Sequence, residues 1–188
     1  MIKFDNVSFS YGDKMIINNL SFSIKDGENL LITGPSGCGK TTVGRLVSRL
    51  LMPDSGRITA PENISVVFQE NRLINNIDVY KNITLPLEKS QLDTADILTQ
   101  QFGFESIKHK SISELSGGML RRVAILRAIA FGGDALLLDE PFNGIDSENI
   151  SHIAKIIRRE YNDRAKSIII ISHNKADAEL FDAQILEI

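Results

Sequence analysis

The chain has 188 residues, 43% hydrophobic and 24% charged, a globular composition that excludes disorder along the whole length. Its 21 Lys and Arg against 24 Asp and Glu leave a formal net charge of −3, without the basic surplus that marks a nucleic-acid binder. The single cysteine, Cys38, cannot form an internal disulfide, and no apolar run reaches the length of a membrane span. Asp5 falls where a secretory signal needs its apolar stretch, so the expectation is a cytoplasmic α/β protein whose mature chain starts at Met1.

Apolar residues alternate first: Ile2, Phe4 and Val7 to Phe9, then Leu20, Phe22 and Ile24, with turn signals at Gly12-Asp13 and Asp26-Gly27. This predicts β-strands. A short apolar strand follows over 29–33. Val43, Leu46, Val47, Leu50 and Leu51 then predict a helix over 40–51, stopped by Pro53-Asp54-Ser55-Gly56. A strand is expected over 64–68. Residues 70–115 are polar with a helical pattern. A helix over 119–131 carries only Arg121, Arg122 and Arg127 as charges. The runs 135–138 and 168–171 are continuously apolar, as strands covered on both faces of a parallel sheet are. The division expected is a sheet-centred core interrupted by a helical insertion.

The strand over 29–33 runs into Gly34-Pro35-Ser36-Gly37-Cys38-Gly39-Lys40-Thr41 and then a helix. Glycines let backbone N–H groups curl around phosphates, and the helix N-terminus adds its positive dipole end. In such a loop the lysine, here Lys40, reaches the β- and γ-phosphates, and the Thr41 hydroxyl ligates Mg²⁺. Cys38 occupies a variable position of the loop. Asp139 and Glu140 directly follow the run 135–138. Beside a phosphate loop, Asp139 is expected to hold Mg²⁺ and Glu140 to polarise the attacking water; alone, the pair would read as a solvated loop. Gln69 and Ser172-His173 end two other strands. Leu115-Ser116-Gly117-Gly118-Met119 opens a helix, with Ser116 as N-cap and bare glycine N–H groups, so it is a second place suited to phosphate. It follows the helical insertion, in a different lobe from Lys40, which suggests that two chains face each other over each nucleotide.

Taken in order, Gly34 to Thr41, Gln69, Leu115 to Met119, Asp139-Glu140 and His173 resemble the nucleotide-binding subunit of an ATP-binding cassette (ABC) transporter, over nearly the whole chain. The resemblance implies a P-loop NTPase core with a mainly parallel sheet, an N-terminal antiparallel β subdomain and a helical insertion. All would lie in one domain over 1–188, with 1–69 and 119–188 as core and about 70–118 as the helical part. It implies ATP and Mg²⁺ as cofactors, with Mg²⁺ on Thr41, Gln69 and Asp139. Glu140, His173, Gln69 and Lys40 would be catalytic. Gly34, Pro35, Ser36, Gly37, Cys38, Gly39, Lys40, Thr41 and Thr42 would cradle the phosphates, and Tyr11 would stack on adenine. Ser116, Gly117 and Gly118 would bind the γ-phosphate of the partner chain's ATP, and Asp146 would communicate across the dimer.

The implied partners are a second ATPase subunit in a homodimer, transmembrane permease subunits contacted through Gln69, and indirectly a substrate-binding protein, with no nucleic acid. The implied location is peripheral, on the cytoplasmic face of the membrane. Some positions depart from the family pattern. Met119 replaces the usual Gln, Asn143-Gly144-Ile145-Asp146 replaces Ser-Ala-Leu-Asp, and the segment between Gly56 and Gln69 is short. No C-terminal regulatory domain is expected, since only fifteen residues follow His173 (188 − 173).

Gln69-Glu70-Asn71-Arg72-Leu73, Val79 and Asn82-Ile83 are similar to the nitrate, sulfonate and taurine importer group, although Asn75-Asn76 stands where that group has Pro-Trp. ATP-driven import is therefore the leading expectation. Export or lipid and lipoprotein movement, or a nucleotide-controlled clamp outside transport, are the alternatives.

Overall fold

A computed structural model describes all residues, 1–188. Two long strands, β1 (Ile2–Tyr11) and β2 (Lys14–Ile24), turn at Gly12-Asp13 and pair antiparallel, and β4 (Ser55–Thr59) pairs antiparallel on the other side of β1. The second sheet is parallel throughout, in the order β5-β6-β7-β3-β8, from β5 (Ile64–Val67), β6 (Ala135–Asp139), β7 (Ser167–Ile171), β3 (Asn29–Thr33) and β8 (Ala183–Glu187). Six α-helices complete the fold: α1 (Lys40–Val47), α2 (Val79–Thr84), α3 (Leu92–Gln101), α4 (Gly117–Phe131), α5 (Ser147–Tyr161) and α6 (Asp177–Phe181).

The continuous apolar runs have the cause their sequence suggested. In β6, Leu136 and Leu138 enter one apolar cluster while Ala135 and Leu137 enter another, and in β7 Ile168 and Ile170 part from Ile169 and Ile171 in the same way. Successive strand side chains point to opposite faces, so a sheet covered on both sides needs every position apolar. The antiparallel sheet and α1 cover one face through Phe4, Phe9, Val43 and Leu46. Helices cover the other through Val123, Leu126, Ile153, Ile157 and Phe181. Val79, Ile83, Ala95, Leu98, Phe102 and Ile112 belong to that second cluster too, so the segment between β5 and α4 shares its core with the parallel sheet.

Helix α1 is shorter than its apolar spacing predicts. The Ser48 hydroxyl donates back to the Gly44 carbonyl at 2.9 Å, and Arg49 enters the left-handed region at φ 58°. A hydroxyl that competes for a helical carbonyl and a left-handed residue end the helix at Val47. Leu50 consequently lies 55% exposed. Helix α4 begins two residues earlier than read, because Ser116 caps it by accepting from the Met119 N–H at 3.3 Å. Four elements lie outside the sequence reading: β4, β8, α5 and α6.

Candidate active site

All the strand ends that matter open on one side of the parallel sheet. The turn after β3 is held by Gly39, the N-cap of α1, at φ 109°. A Cβ there would stand 2.8 Å from Ile17 Cδ1 and 3.1 Å from Ile16 Cγ2, but it is the left-handed backbone that requires glycine at this position. Around that turn lies a cavity of about 310 Å³, lined by Ser36, Lys40, Thr41, Gln69, Asp139 and Glu140 among others. The phosphate loop, the Gln69 loop and the β6 carboxylates, far apart in sequence, thus meet at one place. That is the carboxyl edge of the sheet, where open α/β folds bind ligands.

Lys40 is turned onto its own loop: Nζ donates to the carbonyls of Gly34 and Pro35, both at 2.8 Å, and lies 3.8 Å from Cys38 Sγ. Asp139 is 5% exposed, and its Oδ1 has no hydrogen-bond partner. Burial pushes its carboxyl above the usual range, a contact from Thr41 and the charges of Arg121 and Arg45 pull it down, and Glu140 pushes it up again. A buried carboxylate oxygen without a donor, facing a polar cavity beside a Thr hydroxyl and a Gln amide, fits a hard cation with oxygen ligands. Thr41, Gln69 and Asp139 are the residues that would hold Mg²⁺.

Glu140 has left-handed backbone geometry, φ 48°, unusual for a residue with a side chain. Its N–H donates to the Ile171 carbonyl at 2.8 Å, which ties the ends of β6 and β7 together. Such strain clusters at functional positions. His173, just beyond β7, brings Nδ1 to 2.9 Å from Glu140 Oε2. The turn that carries it is fixed by Ser172, whose hydroxyl donates to Asp177 Oδ2 at 2.6 Å and accepts from the Asn174 N–H at 3.0 Å. Burial raises the Asp177 pKa.

The remaining candidates lie apart from the cavity lining. Tyr11 packs edge-on against Phe9, with centroids 4.9 Å apart, and its hydroxyl accepts from Arg45 Nη1 at 3.2 Å. Ser116, Gly117 and Gly118 line no part of the cavity. Gly117 faces open space, whereas a Cβ on Gly118 would fall 2.4 Å from the Gly144 carbonyl oxygen. Asp146 is exposed and caps α5, accepting from the Asn149 N–H at 3.0 Å; that backbone hydrogen bond is the main cause of its lowered pKa. Arg121 has a place in the site that sequence reading does not give it. It is buried beneath the ends of β5 and β6. The available signal is a charge on a helix buried nearly all round, since such a charge must find partners inside.

Comparison with known proteins identifies the family. The family model described as "ABC transporter" matches residues 17–143. The chain belongs to the ABC transporter family. The cassette is 33% identical to the taurine import ATP-binding protein TauB of Roseobacter denitrificans, over 90% of this chain and 69% of that protein. It is also 33% identical to the probable iron export ATP-binding protein FetA of Escherichia coli, over 93% of this chain and 85% of that one. The sulfate/thiosulfate import ATP-binding protein CysA of Mesostigma viride is 32% identical over 94% of the cassette, which spans only 56% of that relative's length. Among solved structures, a bacterial ABC transporter cassette, MJ0796, determined as a dimer, superposes with a TM-score of 0.87 at 26% identity, covering 100% of this chain and 94% of that one. The mixed α/β architecture expected from the sequence is thus the ABC cassette fold. ATP hydrolysis is the activity for which such cassettes are known. No helix of the cassette is long and apolar enough to cross a membrane.

Proposed function

We propose that the chain is the ATP-hydrolysing subunit of a solute importer and works as a dimer with two ATP molecules between its protomers. The observation that carries the chemistry is the convergence of the phosphate loop, Gln69, Asp139 and Glu140 on one cavity, with His173 hydrogen-bonded to Glu140. Lys40 leaves the Gly34 and Pro35 carbonyls for the phosphates, and the loop from Gly34 to Thr42 supplies N–H donors. Glu140 orients and deprotonates the attacking water. His173 contacts the γ-phosphate from the same chain, and its Glu140 contact orients both groups. Mg²⁺ on Thr41, Gln69 and Asp139 would neutralise charge on the phosphate oxygens. Tyr11, braced by Arg45, receives the adenine.

Ser116, Gly117 and Gly118 read the γ-phosphate of the partner's ATP, and Asp146 lies at the same boundary. The dimeric form of MJ0796 and the open space beside Gly117 support this arrangement. Residues 1–188 act as one cassette, with about 70–118 as its helical part. An apolar cleft of about 370 Å³ lies beside the Gln69 loop, lined by Leu50, Ile64, Phe68, Pro86 and Phe131 among others. With exposed Leu85 and Met52 nearby in sequence, it is suited to receive a permease subunit at the cytoplasmic face of the membrane. A binding protein would deliver solute on the far side.

Import is favoured by the relation to TauB and CysA and by the residues from Gln69 to Leu73. The equal identity to FetA favours export as the second reading. Transport by the cassette and its permease in vesicles, with ATP on the cassette side, separates the two by the side on which solute accumulates. For the chemistry, Glu140→Gln is expected to bind MgATP normally and to turn over about 10²–10⁴ times more slowly, the usual worth of a general base. Lys40→Ala weakens binding itself. Near-normal phosphate release by Glu140→Gln removes the assigned role.

A further inference from the structure

Arg121 sits on α4 five residues after Ser116 and is 3% exposed. Its guanidinium contacts no carboxylate. Instead Nε donates to the Pro141 carbonyl at 3.0 Å, and Nη2 to the carbonyls of Asp139 and Glu140, the latter at 2.9 Å. Nη1 turns the other way, to the carbonyls of Phe68 and Gln69 and to Asn71 Oδ1, the last two at 3.3 Å. One planar group thus holds two chain segments. One carries Gln69, the other Asp139 and Glu140. Arg127, on the same helix, completes the hold on the first segment by donating to the Asn71 and Arg72 carbonyls at 3.0 and 2.8 Å.

Burying a cation without a counter-charge in contact is costly, so the choice of residue needs a reason. A glutamine offers two N–H donors and a lysine three on one rotating head, while an arginine has five in a fixed fork. Only the fork satisfies carbonyls on two segments at once and fixes their separation. The segments it joins are those whose side chains line the cavity, and one of them contains the strained backbone of Glu140. Burial lowers the guanidinium pKa to about 10, which leaves the group charged at neutral pH, and the carboxylates of Asp139 and Glu140 favour that charge.

We infer that Arg121 is a positioning residue for hydrolysis: it sets the spacing between the Gln69 loop and the Asp139–Glu140 strand end, and hence between the metal ligands and the group that activates water. The inference rests on the roles proposed above for Gln69, Asp139 and Glu140. Arg121 does not touch the phosphate loop, so ATP affinity should be spared while the hydrolytic step suffers.

The experiment measures kcat, the KM for ATP, the half-saturating Mg²⁺ concentration and the melting temperature of the full chain, for Arg121→Lys, Arg121→Gln and Asn71→Ala. For the two arginine substitutions kcat should fall about 10–100-fold, the range expected when reacting groups are misplaced by an ångström or less. The KM should stay within about twofold, since ground-state binding is untouched, and half-saturating Mg²⁺ should rise severalfold. Charge retention in Arg121→Lys should not rescue the rate. Asn71→Ala removes the one side-chain acceptor without stranding a charge, so it tests the same link in a chain that keeps its fold. It should raise the Mg²⁺ requirement in the same direction and to a smaller extent.

A lower melting temperature with kcat and Mg²⁺ dependence intact, or a raised KM with kcat intact, overturns the inference. If Arg121→Lys and Arg121→Gln do not fold, an unchanged Mg²⁺ requirement in Asn71→Ala overturns it. Glu140→Gln, assayed alongside, separates the two levels. An active Glu140→Gln means that the site reading has failed. An inert Glu140→Gln with a normal Arg121→Lys means that only the positioning role has.

Discussion

Helices α1 and α4 both begin on glycine-rich turns with N–H groups free to bind an anion, yet their surroundings differ. The turn at α1 is enclosed: Thr41, Gln69, Asp139 and Glu140 stand around it in one cavity. The turn at α4 has no such company. Gly118 is pressed against the Gly144 carbonyl and Gly117 faces open space. The local chemistry is the same in both, and only the first has carboxylates and a glutamine gathered around it. None of the residues proposed to hold the metal or activate water stands with Ser116, which fits the shared site proposed above.

Mixed dimers give the strongest test of whether the two turns share a nucleotide across chains. Pair a Lys40→Ala chain with a Ser116→Arg chain. If each ATP lies between the phosphate loop of one chain and Ser116 of the other, one site carries both defects and its twin is intact. Place both substitutions in one chain, pair it with an unsubstituted chain, and every site now lacks one group. If the two turns instead serve a nucleotide within one chain, the ranking reverses. The expected single-turnover amplitude is that of one site for the first dimer and at least about tenfold less for the second, given the cost of losing a charged phosphate contact. More activity in the second dimer ends the shared-site model.

The enclosed half was the more legible one in sequence, for physical reasons. A phosphate loop needs fixed residue types at fixed spacing, and the strands that feed it are apolar at every position because both faces are covered. The strands β4 and β8 left no such mark. They are edge strands with mostly exposed or half-exposed residues, such as Gly56, Arg57, Gln184 and Ile185, and pairing with β1 and β3 defines them rather than pattern. Helix α5 is different. Ile153, Ile156 and Ile157 recur on one face behind Asp146 as cap, so local signals suffice to assign it. Arg121 was visible only as an odd charge, because its partners are backbone carbonyls, which no sequence pattern encodes.

A smaller effect tests what enclosure costs. Burial holds the Asp139 carboxyl above its ordinary pKa. A carboxyl whose folded pKa exceeds its unfolded value favours folding while protonated, and loses that contribution as pH rises through the folded pKa. At neutral pH the free chain therefore carries a penalty at Asp139 that a metal would relieve. Asp139→Asn should abolish Mg²⁺-dependent hydrolysis and yet stabilise the nucleotide-free chain, by about 1 kcal/mol or roughly 2–4 °C in melting temperature for this length. The gain should shrink as pH falls and Asp139 itself becomes neutral. Thermal melts across pH, without nucleotide, decide it; an unchanged or lower melting temperature at neutral pH means that Asp139 is already compensated in the free chain.

Another test uses the one thiol. Cys38 is half-buried in the phosphate loop, with Lys40 Nζ 3.8 Å from its sulfur. In the free chain that ammonium is spent on the loop's own carbonyls. Drawing it onto ATP should close the loop around the phosphates and over the thiol. At an ATP concentration ten times the dissociation constant, about one site in eleven remains free, so maleimide labelling followed by mass spectrometry should slow about tenfold. The two turns should then differ. Protection needs only the enclosed half, so Ser116→Arg should keep it and Lys40→Ala should lose it. If Ser116→Arg removes protection as fully as Lys40→Ala does, the phosphate loop cannot hold ATP alone, and the two turns are equal partners rather than a complete half and a dependent one.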